Sequence, residues 1–126
     1  MQSKELTKAE EQIMQVLWKL EKGFVKDIIE KLPNPKPAYN TVSTIVRILE
    51  KKEFVGHKAY GKTYEYFPLI TKKDYSKSTL KSIVNDYFSN SYTKMTSFFT
   101  KENNLSLKEL EEIKTMIEKE ITNKKK

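Results

Sequence analysis

Three of the chain's four prolines fall within five residues, PNPKP at 33–37. Proline lacks a backbone N–H, and its ring collides with the preceding turn, so no helix can run through this stretch. What lies before and after it must be separate elements, and the loop re-aims the chain between them. Beyond it, PAYNTVSTIVRILEKK sets Ala38, Val42, Ile45 and Leu49 on one helical stripe, predicting a helix over 38–52. The opposite face carries Asn40, Ser43, Thr44, Arg47 and Lys51, residue types suited to a flat, polar, negatively charged surface.

Before the proline loop, Thr7 and Glu10 form a capping-box pattern. Ala9, Ile13, Val16, Leu17 and Leu20 follow as a stripe, and Gly23 is read as the stop. Val25, Ile28, Ile29 and Leu32 predict a second short helix over 25–32. After residue 53 the period changes. FVGHKAYGKTYEYF at 54–67 alternates, with Val55, His57 and Ala59 on one side and Gly56, Lys58 and Tyr60 on the other. Gly61-Lys62 is a two-residue turn, so the stretch predicts a β-hairpin with basic residues at its tip. Three helices and a hairpin in this order predict a winged helix-turn-helix over residues 1–70, whose hairpin must lie against the helices to be stable.

From Thr71 onward the chain is helical in pattern, with a break at the polar SNS of 89–91 and a second capping box at Ser106 and Glu109. Its apolar residues exceed what so few residues can bury among themselves. Residues 71–126 are therefore expected to be a helical dimerisation region, with Tyr87, Phe88, Tyr92, Met95, Phe98, Phe99, Leu110, Ile113 and Ile117 at the interface. The fold class expected is mainly α with a small β-hairpin.

Charge and composition narrow the function. The chain carries a formal net charge of +7. Residues 33–64 hold Lys36, Arg47, Lys51, Lys52, Lys58 and Lys62 against only Glu50 and Glu53, and such a patch favours a polyanion. On the predicted helix over 38–52, Asn40, Thr41 and Thr44 are the expected readers of base edges. Tyr39, Ser43, Arg47 and Lys51, with Lys58 and Lys62 of the hairpin, are the expected contacts to DNA backbone. With no cysteine and one histidine, His57, there is no disulfide framework and no cysteine or histidine metal cluster, and no cofactor is expected. His57 reads as a structural or surface residue, and Trp18 as a packing residue. No phosphate loop or nucleophile elbow is visible, so an enzyme is not expected. The opening MQSKELTKAEEQ lacks the apolar core of a leader, and a cytoplasmic location is expected. A protein-interaction adaptor and a nonspecific architectural DNA binder remain open on the residues alone.

The order and spacing of several short motifs resemble the penicillinase and methicillin-resistance repressors, the BlaI/MecI type of winged-helix regulator. They are Leu6-Thr7-x-Ala9-Glu10, Ile13-Met14-x-Val16-Leu17-Trp18, Tyr39-Asn40-Thr41-Val42-x-Thr44, Arg47-x-Leu49, Lys52-x-Phe54-Val55, and Gly61-Lys62-x-Tyr64-x-Tyr66-x-Pro68-Leu69, with Leu105-Ser106 and Glu109-Leu110 in the tail. The resemblance implies a homodimeric repressor on an inverted-repeat operator, with base contacts at Asn40, Thr41 and Thr44. It also implies release by a membrane sensor-protease that senses a β-lactam and cuts an Asn-Phe pair in the tail. This chain has Phe98-Phe99 there, so the asparagine of that pair is replaced. Copper-responsive relatives carry a tail cysteine motif that a cysteine-free chain lacks.

Overall fold

The computed structural model describes residues 5–126; the polar residues 1–4 of the opening segment lie outside the described residues. Thr7 starts α1 (Lys8–Leu20) as predicted: its hydroxyl accepts from the Glu10 amide, and the Glu10 carboxylate accepts from the Thr7 amide. This box satisfies two of the orphan donors at the helix start. The stop differs from the expectation. α1 ends at Leu20 because Glu21 turns left-handed at φ 70°, two residues before Gly23. Gly23 instead pairs with Tyr66 through both backbone groups, at 2.9 and 2.8 Å.

The Phe24 amide donates to Asp27 at the start of α2 (Val25–Lys31), and PNPKP follows as the loop. Lys36 in that loop donates to the carbonyls of Glu30 and Leu32, at 2.8 and 2.6 Å, closing the exposed end of α2. α3 (Tyr39–Lys51) begins one residue later than predicted. Its buried stripe is Val42, Val46 and Leu49, all fully buried, with Ile45 half-buried at the border. Ala38, expected on the stripe, is the exposed residue preceding the helix, where its extended backbone serves as N-cap. Ala9 is likewise exposed and Met14 takes the buried place in α1.

β1 (Val55–Tyr60) and β2 (Thr63–Pro68) pair antiparallel, with His57 opposite Tyr66 and Ala59 opposite Tyr64. Gly61 takes the turn at φ +64°, which glycine adopts without steric cost. The inward face sends Val55 and Tyr66 into a core built with Ile13, Leu17, Ile28, Val42, Val46 and Leu49. This is the winged-helix arrangement. Full burial of each aliphatic side chain contributes about 1.5–3 kcal/mol.

α4 (Lys72–Tyr87) starts within the first of two compact units, which ends at Thr79; the second is Leu80–Lys126. Tyr75 of α4 sits beside Trp18 and Phe54, and the Trp18 indole donates to the Ile70 carbonyl at 2.9 Å. Trp18 is thus a packing residue with its polar edge satisfied. In the second unit the SNS break holds two left-handed residues, Ser89 and Asn90, and Ser91 caps α5 (Tyr92–Glu102). The capping box at Ser106 and Glu109 opens α6 (Leu107–Lys124). Among the described residues no helix is long and apolar enough to cross a membrane.

One ion pair joins the two ends of the helical frame. Lys52, just past α3, reaches the Glu10 carboxylate at 2.8 and 3.1 Å, and Glu10 is only 4% exposed. Burial raises the Glu10 carboxyl, but the Lys52 and Thr7 hydrogen bonds outweigh it and hold the group below its usual 4.5. Lys52→Ala leaves this carboxylate buried without its cation and should cost about 2 kcal/mol at neutral pH by urea unfolding. A lowered carboxyl stabilises above its unfolded value, so the gap between wild type and variant should close as pH falls from 4.5 through the lowered value.

Candidate nucleic-acid interface

Burying Val42, Val46 and Leu49 fixes the rotation of α3. Asn40, Thr41, Thr44, Arg47 and Lys51 consequently all face outward and are exposed, as is Tyr39 at the helix start. Thr41, one residue before the buried Val42, is itself exposed. The Thr44 hydroxyl donates to the Asn40 carbonyl at 2.8 Å, which leaves its methyl and an oxygen lone pair outward. The Asn40 side chain has no hydrogen-bond partner among those found in the described residues. Arg47 lies along the helix, its Nε donating to the Ser43 carbonyl at 3.3 Å. Its terminal nitrogens remain available for a second group.

The hairpin stands beside this face. Between them runs a cleft of ≈ 440 Å³ lined by Tyr39, Ser43 and Arg47 of α3, Lys62 and Tyr64 of the hairpin, and Lys26 of α2. Its lining carries three cations and no carboxylate. The structure therefore brings four of the expected backbone-contact residues, Tyr39, Ser43, Arg47 and Lys62, onto one cleft. Lys51 stands at the far end of α3, outside the cleft lining. Lys58 is exposed on the outer side of β1, its ammonium 5.3 Å from the Tyr60 ring. The Tyr66 hydroxyl behind the cleft is pushed up, by burial first and then by the Glu50 carboxylate, against the pull of Arg47.

Two members of the basic patch in residues 33–64 face inward chemistry instead. Lys36 closes α2 and Lys52 pairs with Glu10. The sequence reading missed Lys26, which reaches the cleft from the start of α2, and no periodic signal marks it. It also missed the partner of His57: Nδ1 of the imidazole meets Oε2 of Glu50 on α3, and the ring stacks on Tyr64 with centroids 4.1 Å apart. No group of three or more acidic or histidine side chains suited to a metal ion occurs among the described residues.

In the second unit, Tyr87, Tyr92, Phe98, Leu110 and Ile117 are exposed, while Phe88, Met95, Phe99 and Ile113 are half-buried. Phe88 and Phe98 pair at 5.5 Å, and Val84 is the one fully buried side chain there among the described residues. Phe98 and Phe99 both lie inside α5.

A model of the penicillinase repressor family matches residues 6–119. The methicillin resistance regulatory protein MecI of Staphylococcus aureus strain N315 is 26% identical over 116 residues, covering 91% of this chain and 94% of that protein. The penicillinase repressor of Bacillus licheniformis is 25% identical over 122 residues, covering 96% of this chain and 95% of that protein. The solution structure of the DNA binding domain of the repressor BlaI is 27% identical, with a TM-score of 0.49 over 56% of this chain and 87% of that one.

Arg47, Lys51 and Lys62 are exposed and enter no ion pair among the described residues. Arg47→Ala, Lys51→Ala and Lys62→Ala should each change unfolding free energy by less than about 0.5 kcal/mol, measured by urea titration.

Proposed function

The chain belongs to the penicillinase repressor family, and from that premise we propose that it is a dimeric repressor reading an inverted-repeat DNA operator with α3. The observation that carries this reading is the outward row of Asn40, Thr41 and Thr44 beside a cleft whose charged lining residues are all cations. Asparagine can pair bidentately with adenine, and threonine methyls pack on thymine methyls. A helix of this kind fits the major groove, where Asn40, Thr41 and Thr44 would meet base edges. Tyr39, Ser43, Arg47 and Lys51 on the helix, Lys26 on α2, and Lys58 and Lys62 on the hairpin would hold the phosphates on either side. Residues 1–70 form the DNA-binding part of this scheme.

Residues 71–126 supply the dimer. The single chain leaves Ile117 45% and Tyr87 78% exposed, and a second copy is the occupant that a two-fold operator requires. Repression would be relieved by cleavage in the tail, by a membrane sensor-protease or another protease, or by another signal. Phe98-Phe99 is the pair at the corresponding place. Because both sit in a helix, cutting there requires α5 to open first.

Selection of bound duplexes from a random pool should recover an inverted repeat. Recovery of no motif, with salt-sensitive binding throughout, would instead favour a nonspecific architectural binder. Asn40→Ala should cost about 1–3 kcal/mol on the selected duplex and little on random DNA. Lys62→Ala should weaken both alike and reduce the salt slope by about 0.9. In sedimentation equilibrium the wild type should be a dimer and Ile117→Glu a monomer; an unchanged dimer would move the interface off α6.

A further inference from the structure

His57 is the chain's single histidine, and the proposed DNA contacts make no use of it. It nevertheless bridges the two elements that the interface needs in register. Glu50 lies on α3, one turn beyond Arg47 and next to Lys51. His57 lies on β1 and meets the Glu50 carboxylate through Nδ1. A carboxylate accepts only, so Nδ1 carries the proton and donates. One face of the imidazole is covered by Tyr64 of β2, nearly parallel at an interplanar angle of 14°. Tyr64 stands diagonally across the ladder, opposite Ala59. Tyr66, opposite His57, closes the edge at 5.9 Å. The series runs from α3 through β1 to β2 and ends on a ring that lines the cleft shared by Arg47 and Lys62.

We propose that Glu50, His57 and Tyr64 form a clasp that sets the hairpin at the distance from α3 at which Arg47 and Lys62 grip one DNA strand together. These are positioning residues, and the proposal rests on the reading of α3 and the hairpin as a DNA interface. The placement of Glu50 needs such an explanation. A carboxylate beside a phosphate-binding row repels its ligand, yet here it is held on the hairpin side by an imidazole donor. Freed from the clasp, the two-stranded hairpin keeps its anchors at Val55, at the Gly23–Tyr66 bridge and at the Phe24–Tyr60 ring contact but loses its side-chain hydrogen bond to α3. A misplacement there separates the two cations without unfolding the core.

Charge and position predict opposite signs for one substitution, which makes the clasp testable. Glu50→Ala removes from a DNA-binding face both the negative charge and the acceptor of the Nδ1 proton, and simple electrostatics requires tighter binding. The clasp requires weaker binding, about fivefold, on the selected duplex. His57→Ala should lose the same amount, and the double variant no more than either single one, because the pair acts as a unit. A second readout needs no DNA. The aromatic proton signals of the lone histidine should be displaced by the stacked Tyr64 ring, and Glu50→Ala should move them toward the values of a free imidazole. Unmoved histidine signals overturn the clasp, whatever the DNA result. Moved signals with tighter or unchanged binding keep the contact but overturn its positioning role. Moved signals with no sequence-preferring binding by the wild type would count against the DNA reading instead.

Discussion

The burial of Val42, Val46 and Leu49 decides almost everything about the candidate interface. A helix has one rotation that hides three such side chains, and it costs several kcal/mol to turn them into water. Once that rotation is fixed, the other residues of the helix have no choice of direction. Asn40, Thr41, Thr44, Arg47 and Lys51 face outward because the core needs their neighbours. The far end of α3 is then pinned by Lys52 on Glu10, a carboxylate that also closes the first turn of α1. The outward face of α3 and the first helix are thus set by one connected frame of apolar burial and the Lys52–Glu10 ion pair.

The net positive charge is sorted by that frame rather than spread evenly. Lys36 and Lys52 serve the fold, one on the carbonyls of α2 and the other on Glu10. Lys26, Arg47 and Lys62 converge on the cleft between helix and hairpin. A sum over the sequence cannot make this division, because it depends on which cation lies within reach of an internal acceptor. The division also separates the consequences of substitution: the inward cations are felt in stability and the outward ones in whatever binds the cleft.

Local chemistry was legible in the sequence, and tertiary pairing was not. The capping boxes at Thr7 and Ser106, the stop imposed by PNPKP, the glycine turn of the hairpin and the break before Ser91 all depend on residues a few positions apart. The stripe of α3 was misassigned at Ala38 because four-three-four spacing fits two rotations of the helix. Which one holds depends on whether Ala38 or Val46 meets the core. Gly23 was read as a helix stop when its use is a backbone bridge to Tyr66, a partner 43 residues away in sequence. The Glu50–His57 contact was hidden for a similar reason: its residues belong to different elements, and only the packing of the hairpin brings them together. In the second unit the sequence showed an apolar excess, and the chain by itself leaves that excess uncovered.

The central claim, that α3 reads DNA with the face its core packing turns outward, is tested most directly by a crystal structure of the protein on its selected duplex. The account predicts α3 in the major groove, the Asn40 side chain within hydrogen-bonding distance of a base edge, and Arg47 and Lys62 on phosphates of one strand. A complex in which α3 stands outside the groove, with DNA held by another face of the protein, would contradict it.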